Sequence, residues 1–129
     1  MVEKFNKIDL EKNCSVDPFS SYRVEIFSSG LVKYLKGYYT PDSGEYHISL
    51  NKVKKLNELL EKYNFFGICK KEPTRFGLDG FECRIKIILK NGSSREIVHS
   101  EIEDIYPDTL LELEDEIEKL INIKSKILG

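Results

Sequence analysis

The stretch from Tyr22 to Leu35, "YRVEIFSSGLVKYL", constrains the fold more tightly than any other part of the chain. Polar and apolar residues alternate on both sides of a Ser28-Ser29-Gly30 turn, and alternation with period two marks a strand with one buried face. The turn decides which side chains share that face, because a one-residue slip sends every side chain to the other side. A two-residue loop of Ser29 and Gly30 would set Ile26 against Lys33 and Glu25 against Tyr34. A three-residue loop, with Gly30 at positive φ, sets Ile26 against Val32, Val24 against Tyr34 and Glu25 against Lys33. The second register keeps like with like. It predicts a core face of Tyr22, Val24, Ile26, Val32 and Tyr34, and a second face of Arg23, Glu25, Phe27, Leu31, Lys33 and Leu35.

The remaining elements follow from the same kind of reading. Lys4 to Leu10 reads as a short edge strand, Gly37 as a kink, "TPDSGE" as a loop and "YHISL" as a returning strand. Val53, Leu56, Leu59, Leu60 and Tyr63 recur at helical spacing, with Ser49 or Asn51 available as N-cap. "FECRIKIILK" is the clearest strand, and Asn91-Gly92 turns it back into "REIVHS". An even-numbered loop there places Ile88 and Ile97 together on the face opposite Ile87 and Val98. A last helix starts near Pro107 or Asp108, buries Leu110, Leu113, Ile117, Leu120 and Ile121, and exposes Glu112, Glu114, Asp115, Glu116 and Glu118 early. The expected architecture is α+β: an antiparallel β-sheet with both helices on one face.

These residues also carry a resemblance. Cys14, Pro18, "YRVEI", Gly30 and the "VKY" of Val32 to Tyr34, followed by "ISLNKVKKLNELLEKYNFF", resemble a family of small uncharacterised domains known as a domain of unknown function. Its members run through a cysteine loop, a proline, a Tyr-x-Val-x-Ile strand, a glycine turn and a Val-x-Tyr strand. The family's second cysteine, just before the proline, has no counterpart here, so no disulfide or metal role of that loop carries over. The resemblance implies the fold and assigns no activity.

At 129 residues and 15.0 kDa, residues 1–129 are expected to form a single domain able to bury its own core. No apolar run approaches the ~20 residues of a membrane span, and "MVEKFNKIDLEKN" is too polar for a secretory leader, which points to the cytoplasm. The net charge of -2 hides a basic stretch around "NKVKKLNELLEKYNFFGICKK" and an acidic one from Glu101 to Glu118.

Chemistry-bearing residues are sparse. Cys14, Cys69 and Cys83 lack CxxC spacing, which argues against a disulfide framework and a zinc site, and no cofactor is expected. Cys14 as a nucleophile would need His47 or His99 beside it, and nothing in the sequence registers either against it. Cys83 reads as a small core hydrophobe. "RFGLDGFE" lacks the context of a phosphate loop, and "SEIEDIYPD" the glycine of a calcium loop.

The feature out of place is the second sheet face, where a solvated antiparallel sheet should be polar. Phe27, Leu31, Lys33, Leu35, Ile88 and Ile97 are expected there. Either the N-terminal segment with Phe5, Ile8 and Leu10 covers them, or a second copy or another protein does. The leading expectation is a non-enzymatic interaction or accessory module, homodimeric or docked on a larger protein. The alternative is a single-stranded nucleic-acid binder using Lys36, Tyr38 and Tyr39, which overall acidity disfavours. A Cys14-dependent enzyme stands third.

Overall fold

The computed structural model describes residues 4–14, 21–36, 42–69, 81–100 and 108–123. In chain order these form β1 (Phe5–Cys14), β2 (Tyr22–Phe27), β3 (Leu31–Lys36), β4 (Asp42–His47), α1 (Leu50–Lys62), a 3-10 turn (Phe65–Gly67), β5 (Phe81–Leu89), β6 (Ser94–Ser100) and α2 (Asp108–Ile121). The six strands make one antiparallel sheet in the order β4-β3-β2-β1-β5-β6, so the α+β class is the one the chain adopts.

β1 sits inside the sheet, not at its edge. Ile8 lies opposite Ile26 of β2 on one side and Ile87 of β5 on the other, and Leu10 lies between Val24 and Ile85. Phe5, Ile8 and Leu10 are wholly buried on the helix-covered side. They cannot also cover the second face, which corrects that expectation. Each such side chain contributes about 1.5–3 kcal/mol by leaving water. A strand carrying three of them belongs in the middle of the sheet.

The β2–β3 hairpin has the expected register: Ile26 opposite Val32, Glu25 opposite Lys33, Val24 opposite Tyr34. Gly30 stands at φ +96°, and its N–H bonds back to the Phe27 carbonyl at 2.9 Å. A Cβ at Gly30 would also lie 2.6 Å from the Ile48 carbonyl oxygen, so glycine is required twice over.

The β5–β6 hairpin departs from expectation. Leu89 N–H bonds to Ser93 O at 2.8 Å, closing a three-residue loop of Lys90, Asn91 and Gly92 with Gly92 at φ +92°. Odd loop length sets Ile85 opposite Ile97 and Arg84 opposite Val98. Ile97 is therefore a core residue, 1% exposed, and Val98 takes its place on the second face.

β4 begins four residues before the expected "YHISL", because Asp42, Ser43, Gly44 and Glu45 pair with Lys36, Leu35, Tyr34 and Lys33. Gly44 is a strand residue that makes room for an aromatic ring: a Cβ there would fall on the Tyr34 hydroxyl and ring edge. Ser49 caps α1, its Oγ accepting from Lys52 N–H at 3.2 Å. Val53, Leu56 and Leu60 of α1 and Leu110, Leu113, Ile117 and Ile121 of α2 join the sheet in one core. Tyr46 Oη donates to the Ile121 carbonyl at 2.7 Å, and Arg95 Nη1 donates to the Phe65 carbonyl at 2.8 Å. Both bonds tie helix ends to the sheet. No helix among the described residues is long and apolar enough to cross a membrane.

Candidate functional site

Four strands place one polar row on the core face. Lys12 of β1 pairs with Tyr22 of β2 on one side and Cys83 of β5 on the other, and Cys83 pairs with His99 of β6. Two acids one turn apart on α2 lie over this row. Glu118 accepts from the Tyr22 hydroxyl and from Lys12 Nζ at 2.5 Å. Glu114 Oε2 accepts from the Cys83 thiol at 3.2 Å and meets His99 Nε2 at 2.7 Å. Glu114 and Glu118 are only 2% and 3% exposed, and Tyr22, Cys83 and His99 are buried with them.

Burying carboxylates is costly unless they are paired or hydrogen-bonded; Glu118 is paired with Lys12, and Glu114 is hydrogen-bonded to Cys83 and His99. Among the described residues no buried side-chain polar atom lacks a partner. Burial, then the charge and hydrogen bond of Glu118, raise the Tyr22 hydroxyl above its ordinary pKa. The Cys83 thiol is raised by burial and then by Glu114. Burial on its own would lower Lys12, but its bond and attraction to Glu118 outweigh that and raise it. The neutral thiol and phenol are thus donors, and Lys12 is a cation. A thiol held protonated and closed off from solvent is a poor nucleophile. Its Sγ, a His99 ring nitrogen and a Glu114 oxygen all lie within 4.8 Å of one another, a donor set that could hold a metal ion.

The sequence reading missed this cluster. Glu114 and Glu118, expected in water, are both buried, and Cys83, expected as a plain hydrophobe, has a carboxylate partner. The sulfur, nitrogen and oxygen donors gathered here come from β5, β6 and α2. One signal was present: positions 110, 113, 114, 117, 118 and 121 form a single helical stripe, so the two acids belong to the same face as the leucines and isoleucines.

The opposite sheet face is open among the described residues and is organised in rows. The middle row runs Glu45, Lys33, Glu25, Asp9, Lys86, Glu96 from β4 to β6, and the next runs Ser43, Leu35, Arg23, Glu11, Arg84, Val98. Asp9 is buried beneath two guanidinium groups: Arg23 reaches it through Nε at 3.2 Å and Nη2 at 2.9 Å, and Arg84 approaches to 3.7 Å. Arg84 also meets Glu11 at 3.4 Å and Glu96 at 3.6 Å, and Lys7 pairs with Glu25. This face is far more charged than the sequence reading supposed.

Apolar side chains lie along its margins. Phe27, Leu31 and Ile88 are half-buried near one end, with the Lys7 and Lys33 amines 5.6 and 5.9 Å from the Phe27 ring centre. Leu35 is 44% exposed and Val98 43%. Of the residues expected on this face, Phe27, Leu31, Lys33, Leu35 and Ile88 lie there, and Ile97 does not.

Lys36 ends β3 opposite Tyr22, half-buried, and Tyr38, Tyr39 and Gly37 lie outside the described residues. Cys14 closes β1, its Cα opposite that of Phe81, where a loop position was expected. His47 is exposed on β4, and His99 is committed to Glu114.

Comparison with curated proteins gives no match. The model of a family described as Domain of unknown function (DUF6438) matches residues 6–121, which run from β1 to the last residue of α2, and the chain belongs to that family.

Proposed function

We propose that this domain is a non-enzymatic interaction module that docks another protein through the open face of its sheet. The observation that carries this reading is the one-sidedness of the fold. Among the described residues both helices and the core lie on one face, while the other presents half-exposed Leu35 and Val98, and Phe27 between two lysine amines, around a lattice of ion pairs. The burial of Cys83 and His99, which keeps substrate from the thiol, also favours binding over catalysis. A cytoplasmic location is part of the proposal, and the free thiols of Cys69 and Cys83 are compatible with it.

Full overlap of this face with its copy sets like charges together, which a different protein need not do. A two-fold axis lying along the middle row, or one parallel to the strands midway between β2 and β1, superposes Glu45 on Glu45 or Glu45 on Glu96, and Lys33 on Lys33 or Lys33 on Lys86. Like charges placed opposite one another oppose association. The fitting partner offers an apolar side chain flanked by carboxylates, to cover Phe27 and meet Lys7 and Lys33.

The test is Phe27→Asp combined with Leu35→Lys. Leu35 is exposed and Phe27 half-buried, so the pair costs the free monomer about 1–2 kcal/mol, whereas a charge buried in an interface costs several kcal/mol. The double variant is expected to stay folded with a modestly lower melting temperature and to lose a native partner that the parent chain retains at physiological salt. A folded variant that keeps every such partner overturns the reading. So does salt-resistant oligonucleotide binding by the parent chain, which would move nucleic acid to the front.

A further inference from the structure

We propose that Cys83, His99 and Glu114 form a binding site for one divalent transition-metal ion of the zinc class, which pins α2 to the β5–β6 hairpin. The donors are a thiol sulfur, an imidazole nitrogen and a carboxylate oxygen, the set a borderline-soft ion selects. They come from three different elements, so one ion would cross-link parts of the chain distant in sequence.

The spacing fits with little movement. A tetrahedral ion about 2.0–2.3 Å from each donor needs donor separations of roughly 3.3–3.6 Å. Glu114 Oε2 stands 3.2 Å from Cys83 Sγ and 2.7 Å from His99 Nε2, and all three donors fall within 4.8 Å of one another. These are hydrogen-bond lengths, with protons in the space an ion would take. Widening the two Glu114 contacts by about half an ångström, with Cys83 Sγ and His99 Nε2 set about 3.6 Å apart, converts one arrangement into the other. Glu118 is held by Tyr22 and Lys12, which leaves Glu114 as the acid for the metal.

The proton balance is simple. Binding breaks the Cys83 S–H bond, the proton leaves to solvent, and a sulfur–metal bond forms. His99 coordinates as the neutral ring through Nε2 with its one ring proton on Nδ1, and Glu114 binds as the carboxylate. Three protein ligands leave the fourth position to a water molecule. The structural alternative is that the same groups only hydrogen-bond.

Cobalt(II) separates the two, because a thiolate bound to it gives an intense charge-transfer absorption that a hydrogen-bonded thiol does not. Titrating the full chain with Co²⁺ is expected to give one equivalent bound with that absorption, displaced by one equivalent of Zn²⁺. The Cys14→Ser/Cys69→Ser double variant should keep the band, and Cys83→Ser should lose it while remaining folded by circular dichroism. Glu114→Gln and His99→Gln should each weaken binding at least about 10-fold. If Cys83→Ser fails to fold, the double variant alone decides, since Cys83 is then the one thiol left. No band in the parent chain, a band that survives Cys83→Ser, or a band lost in the double variant overturns the proposal.

Discussion

Gly44 and Glu118 show how single residues set this molecule's shape. Gly44 has no side chain because the Tyr34 ring occupies that space. Gly44→Ala is expected to destabilise by about 1–3 kcal/mol, and the cost should largely disappear in a Tyr34→Ala background, as measured by a double-mutant cycle in urea. Equal costs in both backgrounds would remove the steric account. Glu118→Ala leaves the Tyr22 hydroxyl and the Lys12 amine without their shared acceptor, and should cost about 2–4 kcal/mol. What the sequence made legible at this scale was the glycine turn: Gly30 at positive φ fixed the β2–β3 register. What it hid was the acids, because charge ordinarily marks a solvent-facing position and only the tertiary partners reveal the exception.

At the scale of elements, the two hairpins use one device. Both close with three residues and a glycine at positive φ, Gly30 in one and Gly92 in the other. Asn-Gly more commonly closes a two-residue loop, so the second register was misread while the first was not. The place of β1 was illegible for another reason: it pairs with β5, some seventy residues on, and no local pattern encodes a pairing of that range. Tyr46 links β4 to α2, and burial, then the charge of Tyr34, push its hydroxyl up to about 12. Its neutral form is favoured by folding. The contribution is therefore complete below the unfolded tyrosine value of about 10 and is lost as pH rises through about 12. Tyr46→Phe should flatten that alkaline limb of stability in urea titrations at successive pH values.

For the whole molecule, the sheet is a partition. One face carries the core and the polar row beneath α2, and the other carries the ion-pair lattice with its apolar margins. The partition depends on β1, which joins the β2–β3–β4 half to the β5–β6 half. Native-state hydrogen exchange, read residue by residue, tests this most directly. The β1 amides that pair with β2 and β5 should exchange only by global unfolding, at rates matching the best-protected core of the domain, while those facing outward on β4 and β6 exchange faster. Protection of β1 on one side only, as at a sheet edge, would contradict the strand order and with it the assignment of the two faces.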